Sequence, residues 1–500
     1  MSIAFSALSR PTILQIVPTL NIGGAERTTV DMTRAIVAAG GRAIVVSSGG
    51  RLVDEVVAAG GEHFDMAVKS KNPVIMALNV EHLTRLITRE KVDIVHARSR
   101  APAWSALAAA RRTARPFVTT YHSKVHENPR LKVFYNSVMA RGDAVIANSV
   151  YTASRIARIH KPDAARIYTV PRGIDTDHFN PAAVGAARIA NLRDAWQVSN
   201  DGAMNFVLPA RLTRWKGQAL AIEAAYILRQ SRNDLAPFRV FLVGDAQGRH
   251  AYLHELEAMI GKAGLRDCVF LTGPCNDMPA AYALADVVLS PSIEAEPFGR
   301  TAVEAQAMQR PVIASDSGGQ RETVLTPDSV GMGHDTGFAV EANNARALAD
   351  AMGAMINLGA DERAAMGARG RANVLARFSL PTMTAATLAI YARLLAPAPV
   401  LVISVTPSVS AVLRLERVRA THPAARIVLL TKAGAQSGLT RQADEVWPEG
   451  LARGPGRFLA LARRISWMSF GDVYDFDGTP ATRFLRLCVW PKPQWHPLEP

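Results

Sequence analysis

The chain has 500 residues, 49% of them hydrophobic and 20% charged, an ordinary balance for a folded globular protein with room for two or three domains. Three cysteines, Cys268, Cys275 and Cys488, have neither metal-ligand spacing nor a framework, which excludes a small disulfide-stapled fold and suits a reducing compartment. The formal net charge of +14 comes without an aromatic-plus-glycine RNA motif or zinc spacing, so nucleic acid is the least supported partner.

In chain order, MSIAFSALSRPT is too short and polar for a secretion signal before a strand opens at Ile13. Strands are expected at Ile13–Val17, Arg42–Ser47, Asp93–His96, Phe117–Thr120 and Ala144–Ala147, with helices at Glu26–Ala38 and Val80–Arg89. The second half repeats the logic. Strands at Asn205–Leu208, Arg239–Val243, Val269–Leu271, Val287–Leu289 and Pro311–Ala314 alternate with helices at Gln218–Arg229, His250–Ala263, Pro279–Ala283 and Ala302–Ala307. Short apolar runs alternating with amphipathic helices imply an α/β protein of parallel sheets with helices on both faces. One domain spans 1–190, a second 200–380, and a further helix follows at 381–395. After the linker APAPV, residues 400–500 start afresh: a strand at Val400–Ser404, a helix at Val409–Thr421, a strand at Arg426–Thr431, then ADEVWP and VYDFDGTPATRFLRL. The uncharged run Ala396–Leu413 holds Pro397, Pro399 and Pro407, which suits a strand and turn better than a membrane span.

The positive charge is uneven. Residues 1–180 carry 24 Lys and Arg against 14 Asp and Glu, residues 181–395 carry 20 against 21, and residues 396–500 carry 13 against 8. A basic first half attracts anionic lipid headgroups or a phosphorylated acceptor, and the membrane surface is the favoured partner.

The richest segment is VVLSPSIEAEPFGRTAVEA at 287–305. A strand runs into a polar turn holding Glu296, and a helix carrying Glu304 opens near Thr301. The helix N-terminus, with Gly299 keeping the backbone open, offers N–H groups to an anion. Carboxylates on either side suit hydroxyl-rich groups flanking a phosphate. Ribose, diphosphate and hexose in a row describe a nucleotide-sugar. Arg211 and Lys216, five apart after a strand, have the charge to neutralise a diphosphate in place of a metal. Gly23 and Gly24 precede a helix and let a phosphate approach closely. His96 and Arg98, at a strand C-terminus, lie where open α/β sheets place ligands and are acceptor-side candidates.

The segment resembles the E-x7-E signature of the retaining glycosyltransferases of family 4. The resemblance runs from about residue 12 to 395, through IGGAER at 22–27, VTTYHS at 118–123, VPRGIDTDHFNP at 170–181, LPARLTRWKG at 208–217 and FLTGPCNDMPAAYALADVVLSPS at 270–292. It implies the GT-B architecture, two Rossmann-like doubly wound domains facing a cleft, and transfer of a sugar with retained stereochemistry from a nucleotide-diphosphate donor. It implies that Glu304 holds the ribose, that Glu296 holds the donor sugar, and that Phe298, Gly299, Arg300 and Thr301 offer backbone N–H groups. By the same resemblance, His122 is expected to face the anomeric centre, the helix at 381–395 to cross back to the first domain, and Cys275 to lie in the base-binding loop. Asp175-Thr176-Asp177 and Asp475-Phe476-Asp477 spell a metal-binding pattern of another glycosyltransferase fold but are assigned to structure, so no metal or other cofactor is expected. Residues 400–500 resemble the amino-terminal part of heptosyltransferase-type enzymes of family 9, a partial α/β segment available to a protein partner. The expected function is assembly of lipopolysaccharide or another envelope glycan, on a glycan or glycolipid acceptor. The expected location is the cytoplasm, peripherally at the inner face of the membrane. A storage-sugar synthase, a sugar-nucleotide epimerase and a non-catalytic scaffold are the alternatives.

Overall fold

The computed structural model describes residues 10–496 except 22, 123–124, 126, 200, 232–235, 332, 407–408, 435–436, 452–453, 469 and 491, and the side chains of 409 and 437. Residues 1–9 of the amino-terminal segment read as too polar for a leader, Ile22 and Ser123 of the motifs, and Pro407 of the tail lie outside the described residues. Among the described residues no helix is long and apolar enough to cross a membrane.

Three parallel sheets follow one another. The first comprises β1 (Thr12–Ile16), β2 (Arg42–Ser47), β3 (Glu62–Asp65), β4 (Ile94–Ala97), β5 (Phe117–Tyr121), β6 (Ala144–Ala147) and β7 (Ile167–Thr169), in the order β3-β2-β1-β4-β5-β6-β7. The second comprises β8 (Met204–Pro209), β9 (Phe238–Val243), β10 (Val269–Gly273), β11 (Val287–Ser290), β12 (Val312–Ser315) and β13 (Gly337–Val340), in the order β10-β9-β8-β11-β12-β13. The third comprises β14 (Val400–Ile403), β15 (Ile427–Leu430), β16 (Glu445–Trp447), β17 (Asp472–Asp475) and β18 (Gln494–His496), in the order β16-β15-β14-β17-β18. In each sheet the chain starts in the middle, moves to one edge, then returns and continues to the other. Strands such as VVLS of β11 are buried at every position, because helices cover both faces of a parallel sheet.

The contacts divide the chain into two compact units, Met1–Tyr391 and Ala392–Pro500. In the first unit, apolar clusters lie on either side of both sheets. The chain crosses between these sheets twice, and the crossings are tied together. Ile174 N donates to Phe378 O at 2.8 Å and Leu380 N to Ile174 O at 3.0 Å. The helix Leu380–Leu395 then returns to the first sheet, where the Tyr391 hydroxyl meets His96 Nδ1 at 2.5 Å.

Some elements differ from the sequence reading. The helix expected at Val80 opens at Pro73, because the Asn72 side chain accepts from Val74 N and Pro73 occupies the first turn. The second unit is fuller than a fragment with one small core. Its sheet is packed on both faces, by Leu461, Ile465 and Leu485 on one side and Ala411, Leu415 and Val418 on the other. The helix Pro455–Met468 was not foreseen.

Candidate active site

Where the strand order of a parallel sheet reverses, the C-terminal strand ends leave a crevice for ligands. In the first sheet that point lies between β1 and β4. Gly23 and Gly24 follow β1 and open the helix Gly24–Ala38. Gly23 is extended, with φ 179°, and a Cβ there would meet only the mobile carboxylate of Glu26. Gly24 is constrained differently: a Cβ would lie 1.8 Å from Arg172 Nη2. The space a phosphate was expected to enter is occupied from the side by a guanidinium. Nη2 of Arg172 is buried and, among the described residues, has no hydrogen-bond partner.

Three further first-domain residues gather beside this turn. His122 follows β5, and among the described residues neither of its buried ring nitrogens has a partner. Burial, followed by the charges of Arg172 and Arg98, pushes its pKa well below the usual value, so the ring is neutral at physiological pH. Arg98 is buried, and its Nε and Nη2 donate to Gln15 Oε1 at 3.0 and 2.7 Å. His96 is fully buried, with Thr120 Oγ1 at 2.8 Å from Nε2 and Tyr391 on Nδ1. The two acceptor-side candidates thus end up inside the domain. His96 has both nitrogens engaged and fastens the crossover helix, while Arg98 holds Gln15. Polar partners on neighbouring elements, Gln15, Thr120 and Tyr391, offset the cost of burying them.

In the second sheet the reversal lies between β8 and β11, and the predicted cation and carboxylate come together there. Lys216 Nζ sits 2.7 Å from Glu296 Oε1, with both side chains largely buried. Ser292 Oγ and Gln320 Nε2 donate to the same oxygen. Gly217, in the left-handed region at φ +81°, lets the lysine loop pass against Pro291 O, which a Cβ would approach to 2.1 Å. Arg211 is exposed at the end of β8, and its carbonyl accepts from Gln218 Nε2 at 2.9 Å. Gly299, at φ +98°, precedes the helix Arg300–Ala307, which opens one residue before Thr301. Thr301 Oγ1 reaches Pro209 O at 3.3 Å. The Phe298 ring is buried edge-on to Phe378, so only its backbone is available to a ligand.

Glu304 is engaged on both oxygens. Arg300 Nε donates to Oε1 at 2.6 Å and the Tyr282 hydroxyl to Oε2 at 2.8 Å. A carboxylate accepts about four hydrogen bonds, so capacity for a hydroxyl pair remains. The two domains share one electrostatic neighbourhood at this point. Burial, then repulsion from Arg300, lowers Arg172 to about 10, opposed by Glu304, Glu26 and Asp31. Asp31, on the glycine-turn helix, is raised to about 6, chiefly by burial. Two arginines from opposite domains meeting beside a helix N-terminus are arranged for an anion.

The chain is similar to known proteins in sequence and fold. The profile of Glycosyltransferase Family 4 matches residues 22–178, and that of Glycosyl transferases group 1 matches residues 195–373. A D-inositol 3-phosphate glycosyltransferase of Xylanimonas cellulosilytica is 31% identical over 318 residues, 60% of this chain and 72% of the relative. The chain belongs to glycosyltransferase family 4. A GDP-mannose-dependent alpha-(1-6)-phosphatidylinositol monomannoside mannosyltransferase of Mycobacterium tuberculosis is 33% identical over 251 residues, 49% of this chain and 60% of the relative. The crystal structure of a glycosyltransferase from Rickettsia africae superposes with a TM-score of 0.69 at 32% identity, covering 77% of this family 4 enzyme and 99% of that chain.

Other residues of the family 4 enzyme are placed by the structure alone. Gly318 and Gly319 support the Glu296 turn: a Cβ on either would come within 2.4 Å of the backbone at Glu296 or Pro297, and Gly319 N donates to Glu296 O at 2.7 Å. The SGGQ run at 317–320 was the available signal for them. Nothing in the sequence singled out Arg172, Tyr282 or Ser292. Cys275 is half-buried against the second sheet's apolar cluster, and burial raises its thiol pKa, so its side chain packs. Both Asp-x-Asp runs cap turns. Asp175 Oδ1 accepts from the N–H groups of Asp177 and His178. Asp475 Oδ1 accepts from those of Asp477 and Gly478, while Asp477 takes Val405 N and Thr406 N.

Proposed function

We propose that this enzyme moves a sugar, with retention at the anomeric carbon and without a metal ion, from a nucleotide-diphosphate donor to an envelope glycan or glycolipid acceptor. The observation carrying the reading is the Lys216–Glu296 pair at the reversal of the second sheet, with Arg172 of the first domain facing Arg300 and Glu304 of the second. Breaking the bond from the anomeric carbon to the diphosphate leaves negative charge on phosphate and positive charge on the sugar. Lys216, Arg211 and Arg172 supply cations for the first. Glu296 positions hexose hydroxyls, and Glu304, steadied by Tyr282, takes the ribose. The backbone N–H groups of 298–301 point to the diphosphate. His122, uncharged, sits beside the anomeric carbon without repelling its developing charge. A ring that stayed protonated would oppose the reaction.

A nucleotide donor is supported by the mycobacterial relative, which is GDP-mannose-dependent. A lipid-linked acceptor is supported by the same relative, which acts on phosphatidylinositol monomannoside. The lipopolysaccharide setting, with the enzyme peripheral at the cytoplasmic face of the membrane, is supported by the basic composition of residues 1–180 and 396–500. The heptosyltransferase-like reading of the second unit is supported by its doubly covered parallel sheet.

The test is a panel of nucleotide-sugars screened against the purified protein by thermal shift and donor hydrolysis, in EDTA. One donor should both stabilise the protein and be hydrolysed, and Glu296→Ala should abolish hydrolysis. Absence of binding by every nucleotide-sugar, or an absolute requirement for Mg²⁺ or Mn²⁺, overturns the reading.

A further inference from the structure

We infer that the second unit docks on an anionic lipid surface through the paired helices Pro455–Met468 and Pro480–Cys488 and the following Trp490. The inference deepens the glycolipid reading above and rests on it for the identity of the surface.

Both helices pack on one face of the third sheet. The first buries Leu461, Ala462 and Ile465, the second Leu485, and Val489 follows into the same cluster. Side by side, they are joined twice. The Phe458 and Phe484 rings lie 5.5 Å apart, and Trp490 N donates to Ser466 Oγ at 3.0 Å. That packing leaves a second apolar set outside. Trp467 is 85% exposed, Trp490 73% and Leu487 72%, with Leu459 and Phe484 also open. Phe484 and Leu487 are three apart, on one side of their helix. These five large apolar side chains remain largely open on one pair of joined helices, and exposed apolar surface gathered in this way marks an interaction surface.

The surrounding charge selects the occupant. Residues 450–471 and 478–498 contain no Asp or Glu. Arg457, Arg463, Arg483 and Arg486 are exposed on the same two helices, and Lys492 caps the end of the second through Arg486 O and Leu487 O. Tryptophan has an apolar ring and one N–H donor, which suits the headgroup zone of a bilayer. Arginine stems follow the apolar residues inward while their heads stay with lipid phosphates. The basic first domain is a weaker candidate, because many of its arginines are already paired. Arg27 meets Glu55, Arg42 meets Glu62 and Glu90, Arg111 meets Asp143, and Arg155 and Arg158 meet Glu127.

The test uses full-length protein and vesicles of phosphatidylcholine alone or mixed with phosphatidylglycerol. Wild type should co-sediment with the mixed vesicles, and brominated lipid should quench its tryptophan fluorescence. The pair Trp467→Ser and Trp490→Ser should lose the quenching and the binding that survives high salt. The pair Arg483→Glu and Arg486→Glu should lose the salt-sensitive binding, each pair weakening association at least about fivefold. Donor hydrolysis and Tm, measured in parallel, should stay at wild-type values in both. Failure of the donor-site reading would abolish hydrolysis in all three proteins without touching vesicle binding. The inference is overturned if wild type ignores anionic vesicles, if both variant pairs bind like wild type, or if the aromatic pair instead abolishes self-association or capture of a protein.

Discussion

Lys216 and Glu296 form one contact through which stability and the proposed chemistry can be separated by experiment. Removing one partner of a buried pair usually costs about 3–5 kcal/mol, but Glu296 keeps Ser292 and Gln320. Lys216→Ala should therefore lower stability by only about 1–3 kcal/mol while cutting turnover about 100-fold or more. Urea denaturation and steady-state kinetics separate the two, and EDTA should leave wild-type turnover unchanged. Asp31 gives a pH signature. Its carboxyl, buried on the glycine-turn helix, titrates at about 6 instead of 3.8, so the protonated form is favoured by folding. The stability this provides is fully present below pH 3.8 and is lost as pH rises through 6. Asp31→Asn has no charge to bury. Its advantage over wild type should grow from near zero at pH 4 to about 2–3 kcal/mol at pH 8, measured by urea denaturation without donor. An advantage that does not change with pH would contradict the burial of Asp31.

At the scale of elements, the turn beneath Glu296 is held by a glycine pair. Gly318 has φ +63° and a Cβ there would lie 2.4 Å from Glu296 O, whereas Gly264, at φ +66°, has open space among the described residues. Gly264→Ala should cost about 1 kcal/mol for the left-handed backbone alone. Gly318→Ala should cost about 2–4 kcal/mol and also lower turnover, since the carboxylate turn must move. Equal effects of the two substitutions on Tm and kcat would refute the close approach. Strands such as Arg42–Ser47 and Ala144–Ala147 were legible because apolar runs there are bounded by polar or glycine residues. Lys216 and Glu296 were legible through their motifs, despite lying 80 positions apart. Arg172 was not, because its place over Gly24 depends on how the linker folds back, and no local pattern records that. His96 and Arg98 misled for a related reason. Their position at a strand end was read correctly, but the direction of their side chains is set by Gln15, Thr120 and Tyr391 on other elements. The helix Pro455–Met468 was hidden by Gly454, Pro455 and Gly456, which read as a loop although they precede helical spacing at Phe458, Leu461, Ala462 and Ile465.

For the whole molecule, the division after Tyr391 and the position of every candidate site residue before it argue for independence of the first unit. A chain ending at Leu395 should fold and still hydrolyse its donor, and under the inference above it should lose vesicle binding. Folded protein without donor affinity would show that the second unit completes the site. Within the first unit, the four residues Gln320–Thr323 deserve a mechanical reading. Gln320 holds the Glu296 carboxylate from one end. From the other, both Glu322 oxygens receive N–H groups of Val150 and Tyr151, at the mouth of a first-domain helix. Two residues apart, these contacts tie one short turn both to the Glu296 carboxylate and to the opposite domain. Under the proposed donor site, a sugar that engaged Glu296 would pull on the same short turn that grips the first domain.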